Sequence, residues 1–322
     1  MSHNYVNLMN EYGKNQIPFL FVIDFLGEKP LVIPLNEAKN ENILFYINGK
    51  ANYKKQYFKN ENLLLNAFPI KFTEYKKQFD LVHKAIMRGD SYLTNFTCET
   101  KIESNYNLKE LFYRAEAKYK LFFQNEFIVF SPETFVKIKD NKIFSYPMKG
   151  TIDATIPNAE NIILTNEKEK AEHYTIVDLI RNDLSRIATN VQVSKFRFID
   201  KICTSHGELL QVSSEISGNL PNNFASQLGD YFYSLLPAGS ISGAPKNKTM
   251  ELIKQAENHN RGYYTGVFGY FDGKELDSGV MIRFIEKKKE GLVYKSGGGI
   301  THQSNPEDEY SELIKKIYVP LY

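Results

Sequence analysis

Hydrophobic residues recur in short blocks separated by polar turns. Pro18–Ile23, Pro30–Ile33 and Ile43–Ile47 are continuously apolar, which predicts short strands buried on both faces, with turns, across residues 1–66. From Thr73 to Arg88 the period changes. Tyr75, Phe79, Val82, Ala85 and Ile86 follow helical spacing, with Thr73 as N-cap and Gly89 as the stop. Ser91–Thr97 reads as a strand, Leu108–Lys120 as a second amphipathic helix, and Phe122 opens a run of strands. Thr134–Lys139 and Lys142–Tyr146 alternate apolar and polar around Asp140-Asn141, the pattern of a hairpin. Lys149 then falls where a strand should stop, between Pro147 and Gly150.

Beyond Lys149 the texture is more helical. Asn166–Ala188 carries Ala171, Ile176, Val177, Leu179, Ile180, Leu184 and Ile187 on one stripe, so a long helix is expected. Strands follow over 191–202 and 208–216, then a helix over 223–235, a glycine-rich turn at 239–243 and a helix through Ile253. The C-terminal part predicts strands at 264–271, 279–286 and 292–296, the triplet Gly297-Gly298-Gly299, and a helix over 306–317. Strands and helices interleave without a strict βαβ rhythm. The expectation is an α+β fold, a large single-domain α/β sandwich of mainly antiparallel sheets with helices packed outside. It would span residues 1–322, with a strand-rich region over 1–72 and a core over 73–322.

Composition narrows the function classes. The chain has 322 residues, 42% hydrophobic and 14% aromatic, enough for a large core. Forty basic against 38 acidic residues give a net charge of +2, which points to neither nucleic acid nor a membrane surface. Lys287–Lys289, flanked by Glu286 and Glu290, reads as a solvated hairpin tip. Cys98 and Cys203 cannot build a disulfide framework, and no Cys/His spacing suggests zinc. Neither a signal-peptide pattern nor an apolar run near the ~20 residues of a membrane span is present, so a soluble, cytoplasmic protein is expected.

Several residue sets can carry chemistry. Glu169 and Glu172, and likewise Glu309 and Glu312, are three apart on predicted helices and share a face. Such pairs suit Mg²⁺, which takes one or two carboxylates and completes its shell with water and substrate oxygens. The same spacing is common on solvated helices. Gly239–Gly243 and Gly297–Gly299 expose backbone N–H groups that bind carboxylate or phosphate when they form nests, and tight turns otherwise. Neither fits a nucleotide-binding fingerprint. Arg283 inside an apolar strand needs an anionic partner, which a structural ion pair or a ligand can supply. Tyr264 beside Gly262, and Lys316 one turn after Glu312, complete the set. Lys149 itself is either an exposed strand end or a positioned amine.

Taken in order, these segments resemble the chorismate-utilising enzymes. The match is carried by Gly89-Asp90-Ser91-Tyr92, Ser131-Pro132-Glu133, Pro147–Thr151, Glu172-His173 with Val177–Leu184, Gly239–Lys246, Arg261–Gly266, Ile282-Arg283 and Gly297–Ile300. Within the family the likeness is to the aminodeoxychorismate synthase branch, component I. Lysine at position 149 sets that branch, where anthranilate, isochorismate and salicylate synthases usually carry alanine. Gln211 fits the same branch, since several others have histidine there.

The resemblance implies Mg²⁺ held by Glu172 and Glu312 with Glu169 and Glu309 behind them, gripping the ring carboxylate of chorismate. It places Gly298, Gly299 and Lys316 on that carboxylate, Tyr264 and Arg283 on the enolpyruvyl carboxylate, Ser240 facing the substrate and Glu133 as general acid. Lys149 would attack C2 before ammonia adds at C4, the ammonia coming from a separate glutamine amidotransferase subunit. Alternatives are an anthranilate synthase component I and a non-catalytic chorismate-binding subunit. The chain departs from the family in Leu93, where other members carry lysine or glutamine. It departs also in a short N-terminal region without the Leu-Leu-Glu-Ser tryptophan-binding signature.

Overall fold

The computed structural model describes residues 4–56, 58, 62–204 and 207–321. Helix α1 (Asn4–Lys14) leads into strands β1 (Phe19–Ile23), β2 (Leu31–Pro34), β3 (Ile43–Ile47), β4 (Lys50–Ala51) and β5 (Leu65–Phe68). Next come α2 (Phe72–Met87), β6 (Leu93–Ser104), α3 (Leu108–Arg114), β7 (Tyr119–Phe123), β8 (Phe127–Ser131), β9 (Thr134–Lys139), β10 (Lys142–Ser145) and β11 (Met148–Asp153). Helices α4 (Ala159–Thr165) and α5 (Glu167–Ser185) precede the long hairpin β12 (Thr189–Thr204) and β13 (Gly207–Asn219). A 3₁₀ turn runs into α6 (Leu228–Leu235), followed by α7 (Gly239–Ser242), β14 (Gly243–Ala244) and α8 (Lys246–Ala256). The chain closes with β15 (Val267–Phe271), β16 (Leu276–Val280), β17 (Phe284–Lys288), β18 (Gly291–Ile300) and α9 (Pro306–Lys315).

Among the described residues the strands form two nine-stranded antiparallel sheets. One runs β11-β13-β10-β9-β16-β15-β1-β2, with β12 also on β13; the other runs β14-β6-β18-β17-β8-β7-β3-β4, with β5 on β6. The continuously apolar strands explain the layering. Alternate residues point to opposite faces, so Leu20 and Val22 of β1 meet Phe45, Leu121, Val129 and Phe268 between the sheets. Phe19, Phe21 and Ile23 face outward onto Met9 of α1, Ile176 and Ile180 of α5 and Phe232 of α6. Ile128 and Phe130 likewise face out onto Leu111 and Phe112 of α3. Tyr75 and Phe79 of α2, with Leu313 of α9, cover Phe96 and Cys98 on β6. Each fully buried Phe of this kind contributes about 1.5–3 kcal/mol of transfer free energy. The expected antiparallel α/β sandwich is therefore the observed one. No described helix is long and apolar enough to cross a membrane.

Local signals decide several ends. Asn107 caps α3 through a capping box with Glu110, Asn166 caps α5 on Glu169 N–H, and Asn305 with Pro306 starts α9. Gly89, at φ +86, ends α2 as expected. Other expectations need correction. Helix α2 starts one residue before Thr73 and has no side-chain cap. The run 108–120 is helical only to Arg114, because Tyr119–Phe123 is taken into the sheet between β3 and β8. Helix α1 had no counterpart in the sequence reading. The run 279–286 splits, since Met281–Arg283 crosses from one sheet to the other and Arg283 sits at φ +52, outside any strand. Gly297–Gly299 lie inside β18, paired with Asn95–Thr97. Lys149 does not end a strand: Pro147 breaks the ladder and β11 restarts at Met148. Cys98 is buried, and the side chain of Cys203 lies outside the described residues.

Candidate active site

The two sheets open into a cavity of about 210 Å³. That is below the roughly 300–1,000 Å³ of pockets for drug-sized ligands. Glu133, Lys149, Gln211, Ser240, Tyr264, Arg283, Gly298, Gly299, Glu312 and Lys316, all expected from sequence, line it. Glu169, Glu172 and Glu309, expected with them, do not line it: Glu172 meets the cavity only through Lys149 and lines a separate groove with Thr175 and His302.

Lys149 reaches the cavity because β11 is bulged. Its register on β13 shifts between Met148 and Thr151, with Gly150 at φ +79 inside the irregularity. The ammonium donates to Glu172 Oε2 at 3.0 Å. Burial alone would lower the pKa of Lys149, but Glu172, Glu169 and Glu312 together hold it above the ordinary lysine value. Three carboxylates from two helices thus converge on one ammonium. Glu169 Oε2 would lie 3.4 Å from a Cβ placed on Gly150. Gln211 reaches Thr151 Oγ1 across the β11–β13 pairing at 3.5 Å.

Glu133 is the carboxyl of the set whose pKa is raised. Burial raises its pKa, against the opposing hydrogen bond from Ser240 and the charges of Lys149, Arg283 and Lys316. Ser240 Oγ donates to Glu133 Oε1 at 2.6 Å from the start of α7. A carboxyl whose pKa is raised by burial keeps its proton to higher pH and can give it to a leaving group.

The floor is glycine. A Cβ on Gly298 would find Glu309 Oε2 at 3.4 Å, Lys316 Nζ at 3.7 Å and Glu312 Oε1 at 4.0 Å. On Gly299 it would meet Leu93 Cδ1 at 3.0 Å and Lys149 Nζ at 3.3 Å. Lys316, the C-cap of α9, pairs with Glu312 at 2.7 Å and donates to Gly297 O at 2.8 Å. Burial leads in lowering its pKa, against Glu312. Glu309 is buried and accepts from Ser304 at 2.7 Å.

Arg283 and Tyr264 form the opposite wall. The Arg283 guanidinium lies 5.3 Å from the ring of Tyr318, and its Nε is buried without a hydrogen-bond partner. Burial pushes the Tyr264 hydroxyl far up, so it stays a neutral donor. The sequence reading missed Asn95, whose Oδ1 is buried in this cavity without a partner. An amide between Leu93 and Phe96, both buried, was the available signal. Unpaired buried polar atoms at a cavity are places for a ligand.

Among the described residues no three metal-ligating side chains gather closely enough to hold a metal ion by themselves. The donors still fit Mg²⁺, which needs only one or two carboxylates besides water and ligand oxygens. A cationic group already sits where Glu172, Glu169 and Glu312 converge.

The cavity, with its carboxylates, glycines and amine inside an antiparallel α/β sandwich, agrees with the family that the sequence matches. Residues 33–322 match the chorismate binding enzyme family, and the chain belongs to it. A Haemophilus influenzae protein described as an uncharacterized PabA-like protein is 53% identical over 323 residues, covering 100% of this chain and 97% of that one. Aminodeoxychorismate synthase component 1 of Bacillus subtilis is 35% identical over 196 residues, covering 58% of this chain and 40% of that one. The solved anthranilate synthase component I of Streptococcus pneumoniae superposes with a TM-score of 0.68 at 27% identity, covering 79% of this chain and 58% of that one.

Proposed function

We propose that the protein is an aminodeoxychorismate synthase component I, converting chorismate and ammonia to 4-amino-4-deoxychorismate and water for folate synthesis. Residues 1–322 act as one chorismate-binding domain in the cytoplasm, and a separate glutamine amidotransferase supplies the ammonia. The observation that carries this reading is the Lys149 ammonium at the cavity wall, paired with Glu172 and beside Gly299. Arg283 and Tyr264 receive the enolpyruvyl carboxylate, and Gly298, Gly299 and Lys316 the ring carboxylate. Glu133 gives its proton to the C4 hydroxyl, which leaves as water. Lys149, its proton released to solvent water, attacks C2 as that bond breaks. Ammonia then adds at C4, expels the lysine amine and gives its extra proton to the Glu133 carboxylate, so the pyruvyl group stays on the ring. Mg²⁺, held by Glu172 and Glu312 with Glu169 and Glu309 behind them, would neutralise the ring carboxylate when bound. Gln211 and Ser240 complete the substrate contacts.

Likeness to a solved anthranilate synthase component I supports a second reading, in which the product is anthranilate. Incubation with chorismate, Mg²⁺ and ammonium separates the two. The expected product needs an added lyase to become p-aminobenzoate. Anthranilate fluorescence without any lyase would overturn the proposal. Chorismate binding without turnover, even with the amidotransferase, would point to a non-catalytic subunit.

A further inference from the structure

Behind the Tyr264 wall lies a buried guanidinium that touches no ligand position. Arg261 and Glu257 side chains are each 2% exposed and pair at 2.6 Å. All five guanidinium N–H groups are used. Nε donates to Glu257 Oε2 at 2.9 Å, and Nη2 to Glu257 Oε1 and to Asn95 O, both at 2.6 Å. Nη1 donates to Ile241 O at 2.8 Å and to Thr265 Oγ1 at 3.3 Å. Glu257 Oε1 also accepts from Thr97 N–H at 2.9 Å and from its hydroxyl at 2.8 Å.

The acceptors come from three separate parts of the cavity wall. Asn95 belongs to β6 and presents the unpartnered amide. Ile241 follows Ser240 in α7, the residue bonded to Glu133. Thr265 follows Tyr264 in the turn before β15. A lysine has three donors on one point and cannot span this fork.

We propose that Arg261, braced by Glu257, is a positioning residue that holds Asn95, Ser240 and Tyr264 in register around the substrate. This rests on the chorismate reading of the cavity. Loosening the fork displaces the carboxylate-binding wall, and it weakens the Ser240 bond that opposes the rise in Glu133 pKa.

The test is steady-state kinetics with chorismate, Mg²⁺ and ammonium on the full chain, with thermal unfolding in parallel. Arg261→Lys should raise KM by about tenfold to a hundredfold, more than it lowers kcat. It should also move the alkaline limb of kcat/KM to higher pH. Glu257→Gln should act in the same direction by about threefold to tenfold. Thr265→Val keeps the ion pair and removes one acceptor. It is the variant that reads the effect where the others fold poorly, with KM raised about twofold to fivefold. Lower melting temperatures with KM and pH profile unchanged would mean a merely structural brace and overturn the inference alone. A wild-type protein that neither binds nor converts chorismate overturns the functional reading, and this one with it.

Discussion

Two clusters of charge, one buried at Arg261 and reaching the surface at Lys288, the other at Lys149, are built differently. Around Arg261 the cations are paired within the protein, although His259 Nδ1 and Glu286 Oε2 there make no hydrogen bond of good geometry. Arg261 uses all its donors, Lys295 pairs with Glu286 at 2.8 Å and donates to Asn260 O and Arg261 O, and Lys288 meets Glu99 at 2.5 Å. Around Lys149 pairing is incomplete. Asn95 Oδ1 and Arg283 Nε have no hydrogen-bond partner, and Lys149, with 24% of its side chain exposed, donates to Glu172. A buried charge left without its partner costs several kcal/mol, so such a site persists only where a ligand completes it or function requires it. Saturated charges hold walls in place. Incompletely paired ones leave polar atoms open to a ligand.

Breaking the incomplete cluster should therefore cost catalysis directly, and breaking the saturated one should cost stability, reaching substrate binding only through the wall that Arg261 braces. The largest effect is expected for Lys149→Ala. Loss of the amine should lower the amination rate by about 10⁴-fold, the upper end for a single catalytic group. Because Lys149 is half-buried, the variant should still fold. Product chromatography with circular dichroism checks both, and an unaffected rate would remove the nucleophile assignment.

Next comes Glu133→Gln, which should lower kcat by roughly 10²–10⁴-fold. The pH dependence has a defined sign. Burial raises the pKa of Glu133, so its active protonated form persists above the ordinary carboxylate range and kcat/KM falls as pH rises through the raised value. The variant should lose that limb. A wild-type limb at the ordinary glutamate pKa, near 4.3, would contradict the acid role.

Much of this contrast was legible in the chain and part was not. Strands β1 and β3 announced burial on both faces, because every position is apolar or aromatic and each face has its own cluster. The i, i+3 carboxylates were legible because helical spacing is local. Position 93–96 was not, since whether an amide in a strand faces core or cavity depends on which sheet edge it joins. The helix expected over 108–120 failed for the same reason: pairing of Tyr119–Phe123 on both sides overrode the helical period. Arg283 was assigned to a strand because its neighbours are apolar. Its positive φ marks the crossing between sheets, which a one-dimensional pattern does not carry.

Glu99 tests the saturated cluster at a smaller scale. Burial alone would push its carboxyl up, but the Lys288 hydrogen bond and the nearby cations outweigh it and hold the pKa below the usual value. A depressed folded pKa adds stability above the unfolded value of about 4.3, and that stability is lost as pH falls through the folded value. Glu99→Gln should cost about 1 kcal/mol in denaturant titrations at pH 7 and flatten the acid limb of stability, with kcat unchanged. A change in kcat with no change in stability would erase the distinction between the clusters.

The smallest expected effect on the fold is also the sharpest separator. Gly298 lies inside β18 with no positive φ, and a Cβ there would touch nothing closer than 3.4 Å. Alanine is therefore free to occupy the position, and replacing glycine inside a strand should leave stability unchanged or raise it by about 0.5–1 kcal/mol. The added methyl faces Glu309, Lys316 and Glu312 on the cavity floor, where the ring carboxylate is proposed to lie. Gly298→Ala should consequently raise KM for chorismate while the melting temperature holds or climbs. Lost stability would show that β18 cannot accept the methyl. Unchanged KM in a stable variant would move the carboxylate away from Gly298 and leave Lys316 to bind it without the floor.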